Sequence, residues 1–191
     1  MRIFALACAA ALLWGGVASA FDPTAAIGGP YKLKNQFGER RTEVSPDGHA
    51  QLVFFGYVNC PDICTAAMPL MADIADDLGE EGLPVTPIMI TVDPEVDTPD
   101  SMIEPLAKLH KDFIGLTGSK RALKKSYDAF QVEITPLFTD PAGQTIFAHG
   151  SFLYLLDADG NLLTLIPPIL DADSAIDIVR GYLDGSKEQQ S

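Results

Sequence analysis

Two continuous apolar runs, separated by a stretch of helical periodicity, decide most of what this chain can fold into. Leu52-Val53-Phe54-Phe55 and the run from Val85 to Val92 are nearly unbroken and rich in β-formers. That is the pattern of strands covered on both faces, not of one-sided strands that alternate. Between them Met68, Met71, Ile74, Ala75 and Leu78 recur at spacings of three and four, which predicts a helix over 65–78. A buried strand, a helix and a second buried strand form a crossover unit, so the two strands are expected to be parallel. Pro69 removes one helical hydrogen bond and predicts an irregular first turn, or a helix regular only beyond it.

Around this unit the remaining signals are local. Gly28-Gly29-Pro30 and Ser45-Pro46-Asp47-Gly48 frame a short hairpin over 31–33 and 40–42. Thr98-Pro99-Asp100 offers a cap, a first-turn proline and an acid in the order a helix start wants, predicting a helix to about His110, disturbed at Pro105. Ser119 caps another over 120–130. Residues 146–156 and 162–166 read as two strands joined through the turn Asp157-Ala158-Asp159-Gly160-Asn161. Asp173 or Ser174 opens a last helix to Leu183, leaving 185–191 as a polar tail. The fold class is therefore α/β: a sandwich with a central mixed β-sheet flanked by helices and an N-terminal hairpin extension. With a cysteine pair between the first core strand and its helix, the layout is thioredoxin-like.

The N-terminus bears on compartment. Met1-Arg2, the apolar run from Ile3 to Val17 and Ala18-Ser19-Ala20 have the order of a cleaved secretory signal, so residues 1–20 are expected to be removed and 21–191 to form one domain. An apolar run of about fifteen residues is short of the roughly 20 that span a bilayer. The protein is thus expected to be periplasmic or otherwise exported, and not an integral membrane protein after cleavage. The net charge of −13 argues against nucleic acid and anionic membrane surfaces, both of which attract Lys and Arg.

If the leader is removed, Cys8 goes with it and only Cys60 and Cys64 remain. They lie between the first core strand and the helix, where free N–H groups and the positive dipole end stabilise a thiolate. Their spacing is one residue longer than the C-x-x-C of disulfide exchangers. On a helix the two lie one turn apart on one face, able to meet at one ion or to close a disulfide. Of the three histidines, His49 sits in a polar turn and reads as a solvated loop residue. His110 ends a predicted helix, where an imidazolium suits the dipole. His149 stands among small residues near the start of a strand, where a ligand role and a structural one both remain open.

Gly56-Tyr57 ahead of Cys60-Pro61-Asp62-Ile63-Cys64, Thr91-Val92-Asp93-Pro94-Glu95 with Asp97-Thr98-Pro99, Phe113 to Gly118, and His149 ahead of Tyr154-Leu155-Leu156-Asp157 together resemble the Sco/SenC family. Its members are copper-binding assembly factors of cytochrome c oxidase. The resemblance covers the chain from about Gly28 to Tyr182 and implies a thioredoxin-like fold. It implies a copper site, for Cu(I) or Cu(II), built from Cys60, Cys64 and His149. The partner it implies is the copper-accepting subunit of a terminal oxidase, or another periplasmic copper protein. Two thiolates and an imidazole suit soft Cu(I), and zinc also accepts such donors. The chain departs from the family's pattern at Ala148, where an acid is usual, at Gly150, where a serine is usual, and at Thr65, where a proline is common.

Other signals read as structure. Met68 and Met71 are at core spacing. Asp157, Asp159 and Asn161 imitate a calcium loop, but Leu162 and Pro168 occupy the places of its glycine and final glutamate. Asp93 and Asp97 shape a strand-to-helix loop, and Asp62 either bonds a helical N–H or meets a partner. Two functions follow: a metallochaperone delivering copper to the oxidase's dinuclear centre, or a thiol-disulfide reductase in which Cys60 and Cys64 are the catalytic pair keeping the partner's cysteines reduced.

Overall fold

Both apolar runs are strands, and each is buried along its whole length. The computed structural model describes residues 27–60 and 64–188, with side chains up to 185. The expected leader, Cys8 and Asp62 lie outside the described residues. The elements are β1 (Leu33–Asn35), β2 (Arg40–Arg41), β3 (Ala50–Gly56), α1 (Cys64–Glu80), β4 (Val85–Thr91), α2 (Pro99–Leu109), β5 (Ile114–Thr117), α3 (Lys120–Ala129), β6 (Thr135–Thr139), β7 (Thr145–Ala148), β8 (Leu153–Leu156), β9 (Leu162–Ile166) and α4 (Ala172–Glu188).

The parallel crossover holds. β3 pairs with β4 from Ala50↔Val85 to Gly56↔Thr91, and β4 pairs in parallel with β5. β8 joins the other edge of β3 antiparallel, followed by β9, while β1 and β2 extend the sheet beyond β5. The order β2-β1-β5-β4-β3-β8-β9 is a mixed sheet of the thioredoxin-like α/β class. Successive residues of β3 face opposite ways. Phe55 packs with Tyr127, Phe130 and Tyr154 at ring separations of 5.3–6.0 Å, and Phe54 lies 5.7 Å from the ring of His149.

Helix starts follow their caps. Thr98 accepts the Ser101 N–H while Ser101 Oγ accepts the Thr98 N–H, a reciprocal box ahead of Pro99. Ser119 Oγ accepts the Ala122 N–H. For α4 the cap is Asp171, which accepts the Ser174 N–H at 2.9 Å, so the helix opens slightly earlier than predicted. It also runs on to Glu188, into the expected polar tail, because no proline follows Leu183 to stop it. α1 is helical from Cys64 straight through the exposed Pro69, at the cost of one hydrogen bond.

One predicted strand is two. Residues 146–156 split at 149–152: β7 pairs with β6 in a separate two-stranded ladder, and β8 pairs with β3 and β9. A continuous apolar stretch cannot report that its two halves change partners. β6 itself carries Pro136 and is exposed throughout, and β5 has only four residues, so neither announces itself in sequence.

The loop between β4 and α2 buries an acid. Asp97 is 1% exposed, and its carboxylate accepts the Thr91 hydroxyl at 2.7 Å and the Val58 N–H at 3.2 Å. Burial raises its pKa to about 6, against the opposing pull of the Thr91 and Val58 hydrogen bonds. Gly56, ending β3, is the other tight point: a Cβ there would stand 2.5 Å from Phe54 Cε1 and 3.1 Å from Cys64 Sγ.

Two outcomes follow. A carboxyl whose folded pKa lies above its unfolded one favours folding most when protonated. The stability of the wild type relative to Asp97→Asn should therefore fall as pH rises from about 3.8 to about 6, by about 3 kcal/mol. Urea denaturation of both proteins across that window checks it, and a flat difference would refute it. Gly56→Ala should cost about 1–3 kcal/mol through overpacking against Phe54 and Cys64. The same denaturation series on reduced protein measures this loss.

Candidate metal centre

The end of β3 sets the first side of the site. Beyond Gly56 the chain turns tightly, the Cys60 N–H donating to the Tyr57 carbonyl at 3.2 Å, and Cys64 begins α1. Cys60 and Cys64 are 7% and 4% exposed and are not bonded to each other as a disulfide. Two contacts hold this turn from outside. The Val58 N–H donates to Asp97, and Gln144 Nε2, at the β6–β7 turn, donates to the Asn59 carbonyl at 2.5 Å.

The same hairpin delivers the third donor. His149 follows β7 and lies edge-on to Phe54 and Tyr57, at 5.7 and 6.0 Å, while Phe147 packs against Tyr57 at 5.7 Å. Its Nδ1 is 3.0 Å from the Gly150 carbonyl, which can accept but not donate, so Nδ1 carries the proton and Nε2 is left with a lone pair. Nε2 faces Cys64 Sγ at 3.8 Å. The two Sγ atoms and Nε2 all lie within 4.8 Å of one another, and among the described residues no other group of Cys, His, Asp and Glu converges in this way. For metal–sulfur and metal–nitrogen bonds of about 2.3 and 2.1 Å in a trigonal plane, donors stand about 3.8 Å apart. The donor set fits a soft ion in both chemistry and spacing.

Cys64 is tied to its neighbour. The Cys64 thiol is pushed well up, first by its hydrogen bond with Cys60 and then by burial, while a hydrogen bond from the Tyr57 backbone opposes both. This overrides the helix-start effect expected to favour a thiolate. Burial, together with the neighbouring thiols, pushes the Tyr57 hydroxyl up to about 12, against a hydrogen bond with the Phe147 backbone. Val58, Met68, Pro69, Pro105 and Leu109 wall a cleft of about 220 Å³ over the two sulfurs. Met68 thus lines the approach while remaining buried in the core.

The other sequence candidates fall elsewhere. Asp93 and Asp97 shape the β4–α2 loop: the Asp93 carbonyl accepts the Val96 and Asp97 N–H groups, and neither carboxylate joins the cluster. His49 is half-buried instead of solvated and shares a cleft with His110. In His110, Nδ1 accepts the Asp112 N–H and Nε2 faces Asp76 at 3.2 Å, so both nitrogens are engaged away from the cysteines. Asp157 accepts the Asn161 backbone and side-chain N–H groups, as a hairpin turn requires. Asp97 is legible in sequence only as a loop former, and Gln144 carries no signal; their tethering acts through backbone groups that the fold brings near.

The chain is similar to several known proteins. A SCO2-like protein of Rickettsia conorii is 34% identical over 149 residues, covering 78% of this chain and 73% of its own. The human mitochondrial SCO1 homolog is 31% identical over 139 residues, covering 72% of this chain and 46% of that protein. Among solved structures, copper-bound ScoI of Arabidopsis thaliana superposes with a TM-score of 0.78 at 31% identity, over 84% of this chain and 99% of the other. Copper-bound ScoI of Bradyrhizobium japonicum gives 0.72 at 30% identity, over 82% and 99%. The SCO1/SenC family model matches residues 19–184, and the chain belongs to the SCO1/SenC family.

Proposed function

We propose that this protein is a copper carrier, holding one copper ion through Cys60, Cys64 and His149 and delivering it to the dinuclear copper centre of a terminal oxidase. The observation that carries the reading is the convergence of two sulfurs and one oriented imidazole nitrogen within 4.8 Å. Two thiolates and a neutral imidazole make a three-coordinate set for Cu(I); Cu(II) would take further ligation. Zinc accepts the same donors, and the copper-bound ScoI structures favour copper. A related Sco protein is described as one of a family of cytochrome c oxidase assembly proteins, which supports an oxidase partner. Delivery then proceeds by ligand exchange: an acceptor thiolate or imidazole enters as His149 or one cysteine leaves. The leader-like residues 1–20 support action in the periplasm or another exported compartment. No described helix is long and apolar enough to cross a membrane.

The second reading, a thiol-disulfide reductase, is favoured by two cysteine sulfurs that lie close together. Against it stands the imidazole of His149, which a simple exchanger does not require. Oxidised and reduced forms also differ in cargo, because a Cys60–Cys64 disulfide offers no thiolate to copper.

Transfer separates the readings. Reduced, copper-loaded protein mixed with a copper-free oxidase copper domain should lose its ion to the acceptor, while Cys60→Ser and Cys64→Ser should fail to load tightly. His149→Ala should load more weakly, with two-coordinate Cu(I) still allowed. Rapid reduction of the acceptor's disulfide with no copper movement would instead establish the reductase. Loading also depends on pH. Copper displaces thiol protons, and the Cys64 pKa is raised, so affinity should climb as pH rises. One to two protons released per ion correspond to about 10- to 100-fold per pH unit. Competition titrations with a Cu(I) chelator between pH 6 and 8 would read this, and a pH-independent affinity would exclude thiolate ligation.

A further inference from the structure

The second concentration of unusual chemistry lies beyond the β4–α2 loop. Lys32, Lys34, Arg40 and Arg41 line a cleft of about 800 Å³ with Leu33, Pro94, Pro99 and Ala122 as apolar wall. In a chain of net charge −13, these four cations share one recess. Among the described residues none of the four has a carboxylate within 4.0 Å, whereas Lys108, Lys111, Lys120, Lys124 and Arg180 each have one. The nearby acids are engaged elsewhere: Glu39 with Asn35, Glu43 with the Tyr31 N–H, and Glu95 with Lys120.

The strand register makes the arrangement costly. Lys34 stands directly opposite Arg40 across the β1–β2 pair, and like charges in that position destabilise a hairpin. Arg41 adds a second cost: its Nε and Nη2 are sealed from solvent and make no hydrogen bond within the described chain. Arg41 stands opposite Leu33 and also borders a second cleft with Asp47, Asp76, Glu80 and Asp112, so Lys34 and Arg40 carry the recognition in this one. Thr98 and Ser119 already cap their own helices, so the cations, and not helix ends, supply the recognition.

We propose that this cleft binds a small multivalent oxyanion, a polycarboxylate or a polyphosphate, whose charge offsets the repulsion between Lys34 and Arg40. The concavity and volume suit a small molecule. An acidic macromolecule would meet the repulsion of the protein's overall negative field as well. The cleft is separate from the cysteine pair but shares a loop with it. Pro94 and Thr98 line the cleft, and Asp97 between them holds the Val58 N–H beside Cys60.

The test uses the reduced, metal-free protein with its copper ligands intact. Calorimetric titration with citrate and with pyrophosphate in low-salt buffer should give one saturable site for at least one of them, weakening as NaCl is added. The two arms separate a carboxylate from a phosphate preference. The double variant Lys34→Gln/Arg40→Gln should lose at least about 10-fold in affinity, as expected for removal of two charge-assisted contacts. Lys124→Gln, whose partner is Asp128 on α3, should bind as the wild type does. Folding is checked in the same series: without ligand the double variant should melt higher than the wild type, because a repulsive cross-strand pair is gone. The added anion should raise the melting temperature of the wild type only. No saturable binding of either probe, or equal binding by wild type and double variant, would overturn the proposal.

Discussion

The parallel ladder between β3 and β4 is the constraint on which the rest of the molecule depends. Its seven paired positions run from Ala50↔Val85 to Gly56↔Thr91, and the Val92 N–H to Gly56 carbonyl bond extends it one step further. Because alternate residues of both strands fill two different packed layers, a slip of one residue would exchange the two sets and misfit both layers. Register therefore fixes where the chain leaves the sheet. The cysteine turn departs from the end of β3 and the Asp97 loop from the end of β4, side by side. A bond between a carboxylate in one loop and a backbone N–H in the other then needs no long-range coincidence.

Holding the turn in this way has a cost the fold accepts. Asp97 is ionised at neutral pH in a site whose burial opposes ionisation, and it gains two hydrogen bonds in return. A buried carboxylate with partners is dear to remove and modest in net gain. What it secures is position: the turn carrying Cys60 is tied at Val58 from the α2 side and at Asn59 from the β6–β7 side. Tethers at adjacent residues from two directions limit how far the turn can swing. A carrier must present its donors without a long search.

Elements defined by their own residues are legible in the sequence. The runs at 52–55 and 85–92, the caps Thr98 and Ser119 and the turn at 157–161 each carry their signal within a few positions. Elements defined by a partner are not. β6 and β7 exist because they pair with each other, and the apolar stretch from Ile146 to Leu156 conceals a change of sheet at residues 149–152. The site divides along the same line. Cys60 and Cys64 announce themselves by spacing, but His149 lies 85 residues beyond Cys64, and sequence position alone leaves its role open. The family resemblance pointed to His149 as a third donor, and the geometry is consistent with it: the Gly150 carbonyl holds Nδ1 so that Nε2 faces the sulfur. Gly150, a departure from the family's pattern, acts here through its backbone, which any residue would offer.

Ala148, the other departure beside the histidine, has a sharper consequence. A carboxylate next to a ligating imidazole would compete with the Gly150 carbonyl for its proton, raise the ring's basicity and bring a negative charge to the metal. In this chain Ala148 is exposed and the orientation of His149 rests on one neutral carbonyl and on the edges of Phe54 and Tyr57. The imidazole is thus steered by packing more than by charge, and it stands on a hairpin whose β6 side chains are all exposed. Of the three donors, the two sulfurs belong to the turn and helix fixed by the central ladder, while the nitrogen belongs to the separate β6–β7 ladder. An acceptor that displaces His149 first therefore leaves the sulfur pair and the central sheet undisturbed. Displacing either cysteine first would disturb the tethered turn or the buried start of α1. For the proposed copper carrier, this asymmetry would favour release that begins at His149.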